Sequence, residues 1–156
     1  MTLPASLEAL KLRSQIATAI SSDGWDAPAA RAAGLAHIRK KLDKFNARAR
    51  GCLEGAGGGA VASQVLCEGV RVCLHALFDS MASEDLVGSR GVSLCATGGF
   101  GAGQLAPASD VDLLFIKPGT SSEETDRFLE RVLYALWDLK IDVGGGACRT
   151  IQDTIE

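Results

Sequence analysis

The sequence predicts an α/β protein of the α+β kind, with helices first and a small mixed sheet after them. Three observations predict it. Apolar residues recur at three-and-four spacing before residue 90, strand-like runs come only after it, and glycine-rich turns separate the segments. With 156 residues, 47% of them hydrophobic and 22% charged, the chain can build one real core. The expected organisation is a helical segment over 1–90 packed on a sheet-bearing core over 91–156.

The first helix is weakly marked, by Leu7, Leu10, Ala17 and Ile20. The second, over 31–50, places Leu35, Ile38, Leu42 and Phe45 on one face. Its opposite face carries Arg39, Lys40, Lys44, Arg48 and Arg50, which read as a solvated surface. The stretch GCLEGAGGGA then breaks the pattern. A third helix over 60–82 has a wide apolar stripe of Leu66, Val70, Cys73, Leu74, Leu77, Phe78 and Met81. Strands follow: Val92, Leu94 and Ala96 alternate toward Gly98-Gly99, and the run from Val111 to Ile116 stops at Lys117-Pro118-Gly119. A fourth helix starts at a capping box of Ser121 and Glu124. It buries Phe128, Leu129, Val132, Leu133 and Leu136 and ends near Leu139. Ile141-Asp142-Val143 predicts a last strand.

Composition narrows the function. A net charge of −3 provides no global basic field, so no nucleic-acid partner is expected. The opening MTLPASLEALKLRSQ holds no apolar run fit for a signal peptide or a membrane span, so no membrane partner is expected. Five cysteines without a C-x-x-C pair fit a reducing cytoplasm. Cys67, Cys73 and His75 supply three ligands on one helix where structural zinc wants four, and buried helical thiols are the better reading.

The chemistry lies in VSLCATGGFGAGQLAPASDVDLLFI, residues 92–116. A P-loop is excluded, because no lysine stands between Arg90 and Lys117. A dinucleotide-binding turn is excluded as well: the glycine spacing is wrong, and the next strand follows too soon for a crossover helix. What remains is Asp110 and Asp112. On a strand, alternate side chains share a face, which puts these carboxylates about 6–7 Å apart. Their repulsion at that distance is on the order of 2–3 kcal/mol, and a divalent cation reverses it. Magnesium, with carboxylate and phosphate ligands, suits such a pair. Ten residues separate Gly98-Gly99 from Asp110, and Ser109 directly precedes the pair. Glycine amides can approach a triphosphate closely, and a neighbouring hydroxyl can donate to the same oxygens.

Gly-Gly, about ten residues, then Ser-Asp-x-Asp and an apolar run is similar to the signature of polymerase-β-like nucleotidyltransferases. GGFGAGQLAPASDVDLLFI resembles the GGYGRGELxPxSDxDLL segment of bacterial PII-protein uridylyltransferases. ERVLYALWDLKIDVGGGACRTIQD resembles the segment which that family writes roughly as LYxLWDLGLxVGHSVRTxxE. The resemblance implies a polymerase-β-like mixed sheet behind an amino-terminal helical segment, with the core cut short at its carboxyl end. It implies transfer of UMP from UTP to a tyrosine of the signalling protein PII, assisted by Mg2+. Asp110 and Asp112 would ligate the metal, and Gly98, Gly99 and Ser109 would hold the phosphates. Asp142 is the candidate third catalytic acid, as base or as ligand to a second metal. Two departures stand out: Ala102 replaces the family's arginine, and Gly145 its histidine. Transfer of another nucleotide such as AMP, or a degenerate partner-binding module, are the alternative readings.

Overall fold

The structure, a computed structural model, describes residues 6–20, 23–55, 58–119, 122–144 and 148–150. The chain divides into two compact units, Met1–Glu84 and Asp85–Glu156.

The first unit holds three helices: α1 (Leu7–Ile20), α2 (Pro28–Glu54) and α3 (Gly58–Glu84). In α2, Leu35, Ile38 and Phe45 are buried as expected, while Arg39, Lys40, Lys44, Arg48 and Arg50 are exposed. α3 is long and apolar enough to cross a membrane by composition. Here it behaves as a core helix: Val72, Leu77 and Met81 are each 1% exposed, and α3 touches both α1 and α2. Gly69 lets α2 approach, since a Cβ there would stand 2.5 Å from that of Phe45. The burial face of α1 differs from expectation. Leu7, Leu10 and Ala17 are exposed, and Ala9, Leu12, Ile16 and Ile20 go inward. Trp25, in the turn before α2, fills the core. Its indole N–H donates to Ser80 Oγ at 3.0 Å and its backbone N–H to Glu84 Oε2 at 2.9 Å. Cys67 and Cys73 are buried on α3, and loss of hydration pushes the Cys73 thiol up to about 12.

The second unit orders its elements as β1 (Ser93–Ala96), the short α4 (Gly98–Gly101), β2 (Leu113–Lys117), α5 (Glu123–Asp138) and β3 (Cys148–Thr150). The sheet is mixed, in the order β1-β2-β3. β1 pairs antiparallel with β2, Cys95 opposite Leu114, and β3 pairs parallel with β2, Cys148 opposite Phe115. Parallel neighbours need a crossover, and α5 supplies it. Its apolar stripe, Phe128, Leu129, Val132, Ala135 and Leu136, is buried along with Leu113 and Phe115 of β2.

Three boundaries depart from the sequence reading. The helix cap is Ser122, whose Oγ accepts from the Thr125 N–H at 3.3 Å; Ser121 lies outside the described residues. β2 starts at Leu113, so Asp110 and Asp112 stand on the segment leading into it. The last strand pairs at 148–150 and not at 141–143.

Candidate functional site

The glycine turn is built from both sides. Gly98 has φ +54, a conformation only glycine adopts freely, and a Cβ there would overlap the Asp112 carboxylate. Phe100 and Leu105, 5% and 6% exposed, pin the turn to the core. The Ala102 N–H donates to Gly98 O at 3.1 Å and the Gln104 N–H to Gly99 O at 2.8 Å, closing the loop on itself. The N–H groups of Gly98 and Gly99 meet no acceptor among the described residues. They are the orphan donors of a helical first turn.

Asp112 is tied in through its backbone, its carbonyl accepting from the Thr97 N–H at 3.0 Å. One residue earlier, the Val111 N–H donates to the carbonyl of Asp142 at 2.8 Å, which brings the chain after α5 alongside residues 110–112. Val111 is 4% exposed and points into the core, so its two neighbours point away. They converge on Gly144. A Cβ on that glycine would stand 2.9 Å from Asp112 Oδ1, 2.9 Å from Asp110 Cβ and 3.3 Å from Asp110 Oδ2. Both aspartates therefore pack closely against the place that a side chain on Gly144 would need.

Asp110 is exposed and Asp112 half-buried. Among the described residues neither carboxylate has an ion-pair partner or a hydrogen-bond donor. No cation neutralises them from within this part of the chain, so their repulsion is left for something else to compensate. Hard oxygen donors converging on one space match the ligand preference of magnesium, so the residues fit that ion.

The other predicted residues are placed as follows. Ser109 closes a turn, with its hydroxyl donating to Ala106 O at 2.9 Å and its N–H to the same oxygen at 3.2 Å. Ala108 within that turn has φ 61, an uncommon conformation for alanine. Asp142 is beside the pair through its backbone, and its side chain is exposed. Among the described residues no three acidic, histidine or cysteine side chains gather into one group. Gly144 is the residue that sequence reasoning missed. Its signal was the match of Val143-Gly144 to the VG pair in the resembling family's segment, which by itself gave the glycine no role.

Comparison with known proteins gives the site its context. No family model and no solved structure matches the chain. Curated relatives do. A bifunctional uridylyltransferase/uridylyl-removing enzyme of Phenylobacterium zucineum is 35% identical over 156 residues, covering 96% of this chain and 16% of that protein. Its counterpart in Gluconobacter oxydans is 34% identical over 143 residues, covering 91% of this chain and 15% of that protein. The Azospirillum brasilense enzyme is 31% identical, over 97% of this chain and 16% of its own length. The chain thus spans about one sixth of the length of the curated relatives it matches. Their names link it to nucleotidyl-transferring enzymes. Over the segment that it spans, the chain belongs with the bifunctional uridylyltransferase/uridylyl-removing enzymes.

Proposed function

We propose that this chain carries the metal- and phosphate-binding corner of a polymerase-β-like nucleotidyltransferase. The reaction would transfer UMP from UTP to a tyrosine of the signalling protein PII. The observation that carries the reading is the convergence of two unpartnered carboxylates, Asp110 and Asp112, on the space beside Gly144. A surface pair of aspartates has no reason to pack against one glycine, next to a turn whose amides are also unsatisfied among the described residues. The uridylyl group follows the relatives' names, and the acceptor follows the motif resemblance alone.

In this reading Asp110 and Asp112 hold Mg2+. The ion supplies neutralisation of the charge on the triphosphate oxygens. Gly98 and Gly99 turn their free amides toward those oxygens, and the lack of a side chain lets the phosphates come close. Ser109 fixes the turn that delivers Asp110, and its oxygen keeps lone pairs for a further contact. Asp142, whose backbone lies beside Val111, would accept the proton of the attacking phenol. The tyrosine oxygen bonds to the α-phosphorus, the bond to the bridging oxygen breaks, and pyrophosphate leaves with the electron pair. The chain's part is orientation and electrostatics, in keeping with how phosphoryl chemistry is catalysed in general.

A second reading is favoured by one position. Ala102 stands exposed where the resembling family has arginine, so the turn lacks a cation for the triphosphate. A non-catalytic module with the same fold would tolerate that loss. Titrating UTP into the wild-type chain and into an Asp110→Ala/Asp112→Ala variant, with and without Mg2+, separates the readings. We expect binding by the wild type only with metal and none by the variant. Equal, metal-independent binding by both proteins rules the site out, and no binding by either favours the non-catalytic module.

A further inference from the structure

We propose that Gly144 is a positioning residue for the metal ligands, keeping clear the space into which Asp110 and Asp112 point. This rests on the metal-binding reading above. Ordinary non-bonded carbon contacts lie at about 3.5–4.0 Å. A Cβ on Gly144 would stand 2.9 Å from atoms of both aspartates, so something has to move. Asp112 has nowhere to retreat: its other carboxylate oxygen already lies against Gly98, where a side chain is excluded for the same reason. Two glycines from separate stretches of chain thus bracket one carboxylate. At Asp110 the short contact is with Cβ, which side-chain rotation does not move, so the segments carrying Asp110 and Gly144 must draw apart, which separates the two ligands.

The consequence falls mainly on the ion, because the half-buried segment between α5 and β3 can shift without opening the core. Gly144 lies on that segment, beyond Ile141, the last buried residue before the glycines. Its φ lies outside the left-handed region, so alanine meets no backbone strain there. What alanine disturbs is the distance between two oxygen donors. Magnesium and manganese demand short, regular coordination, whereas calcium accepts longer and irregular distances. Spreading the carboxylates should therefore penalise the small ions more than the large one.

The test uses Mn2+ and Ca2+ as probes, titrated in the presence of UTP into the wild-type chain and into Gly144→Ala. Bound Mn2+ is read by electron paramagnetic resonance, Ca2+ by calorimetry, and thermal melts are run in EDTA. We expect Mn2+ affinity to fall at least about tenfold, Ca2+ affinity to fall less, and the metal-free melting temperature to stay within about 2 °C. If the wild type takes up no Mn2+, the reading of the carboxylates as metal ligands fails and the role of Gly144 fails with it. If the wild type binds and Gly144→Ala binds equally, only the role of Gly144 is overturned. A metal-free melting temperature lowered by about 10 °C assigns Gly144 to the fold and overturns it too. Equal losses for both ions have the same effect.

Discussion

Asp110 and Asp112 pack against the same glycine with no cationic partner among the described residues, and that arrangement has a thermodynamic cost in the absence of an ion. Their mutual repulsion, discounted because Asp110 is exposed, is about 1 kcal/mol. Removing one charge while keeping the side chain's shape should therefore raise the stability of the metal-free chain. Asp112→Asn is predicted to melt higher than the wild type in EDTA, by an amount equivalent to about 1 kcal/mol. With saturating Mg2+ and UTP the order should reverse, because the wild type gains binding energy that the variant lacks. An Asp112→Asn chain less stable than the wild type in EDTA would mean that the carboxylate serves the fold. The period-two spacing of this pair made it legible in the sequence, since Val111 and Leu113 had to take the core side. Gly144 was not legible, because a glycine shows its purpose only through what a missing Cβ would strike.

Among the elements, α5 shows how a local rule can be broken and its cost located. After the cap at Leu139, the Lys140 N–H donates to Trp137 O at 2.9 Å and the Ile141 N–H to Leu136 O at 3.0 Å. That pair of bonds is a Schellman motif, which needs a left-handed residue at the position after the cap. Lys140 fills it with φ 58, where the resembling family writes glycine. A side chain there costs about 1–2 kcal/mol, and glycine's extra freedom in the unfolded chain returns part of that. Lys140→Gly is predicted to stabilise the protein by about 1 kcal/mol in urea melts, with an unchanged slope. No change, or a loss, would show that the lysine makes a compensating contact. The apolar stripe of α5 was readable because large residues dominate it. That of α1 was not, because the small Ala9 lies inward while Leu7 and Leu10 are 66% and 49% exposed. The third strand escaped for a different reason. Pairing of Cys148 with Phe115 is a contact across 33 positions, which no local pattern encodes, whereas Ile141-Asp142-Val143 had the local pattern without the ladder.

For the molecule as a whole, the division into two compact units fixes where a nucleotide's stabilisation should be felt first. Every residue assigned to the site falls within Asp85–Glu156, on the segments that follow β1 and lead into β2 and β3. A ligand that binds only the folded form at a hundred times its dissociation constant adds about 2.7 kcal/mol, and amides that exchange through unfolding of that unit slow about a hundredfold. β2 is the place to look, since Leu113 and Phe115 are 2% and 1% exposed and sit at the centre of the sheet. Saturating UTP with Mg2+ is predicted to slow exchange at Leu113–Lys117 by one to two orders of magnitude, and UTP with EDTA to leave it unchanged. Fluorescence supplies a separate reporter for the first unit. Trp25 is 2% exposed and shifts to longer wavelength when Met1–Glu84 unfolds, whereas Trp137, at 57% exposed, is already near water. Trp25→Phe should therefore remove most of the emission change on heating, and Trp137→Phe should leave it. Exchange at β2 that ignores UTP and Mg2+ would place the nucleotide elsewhere, because an ion held by Asp110 and Asp112 cannot stabilise the site without holding the strand they lead into.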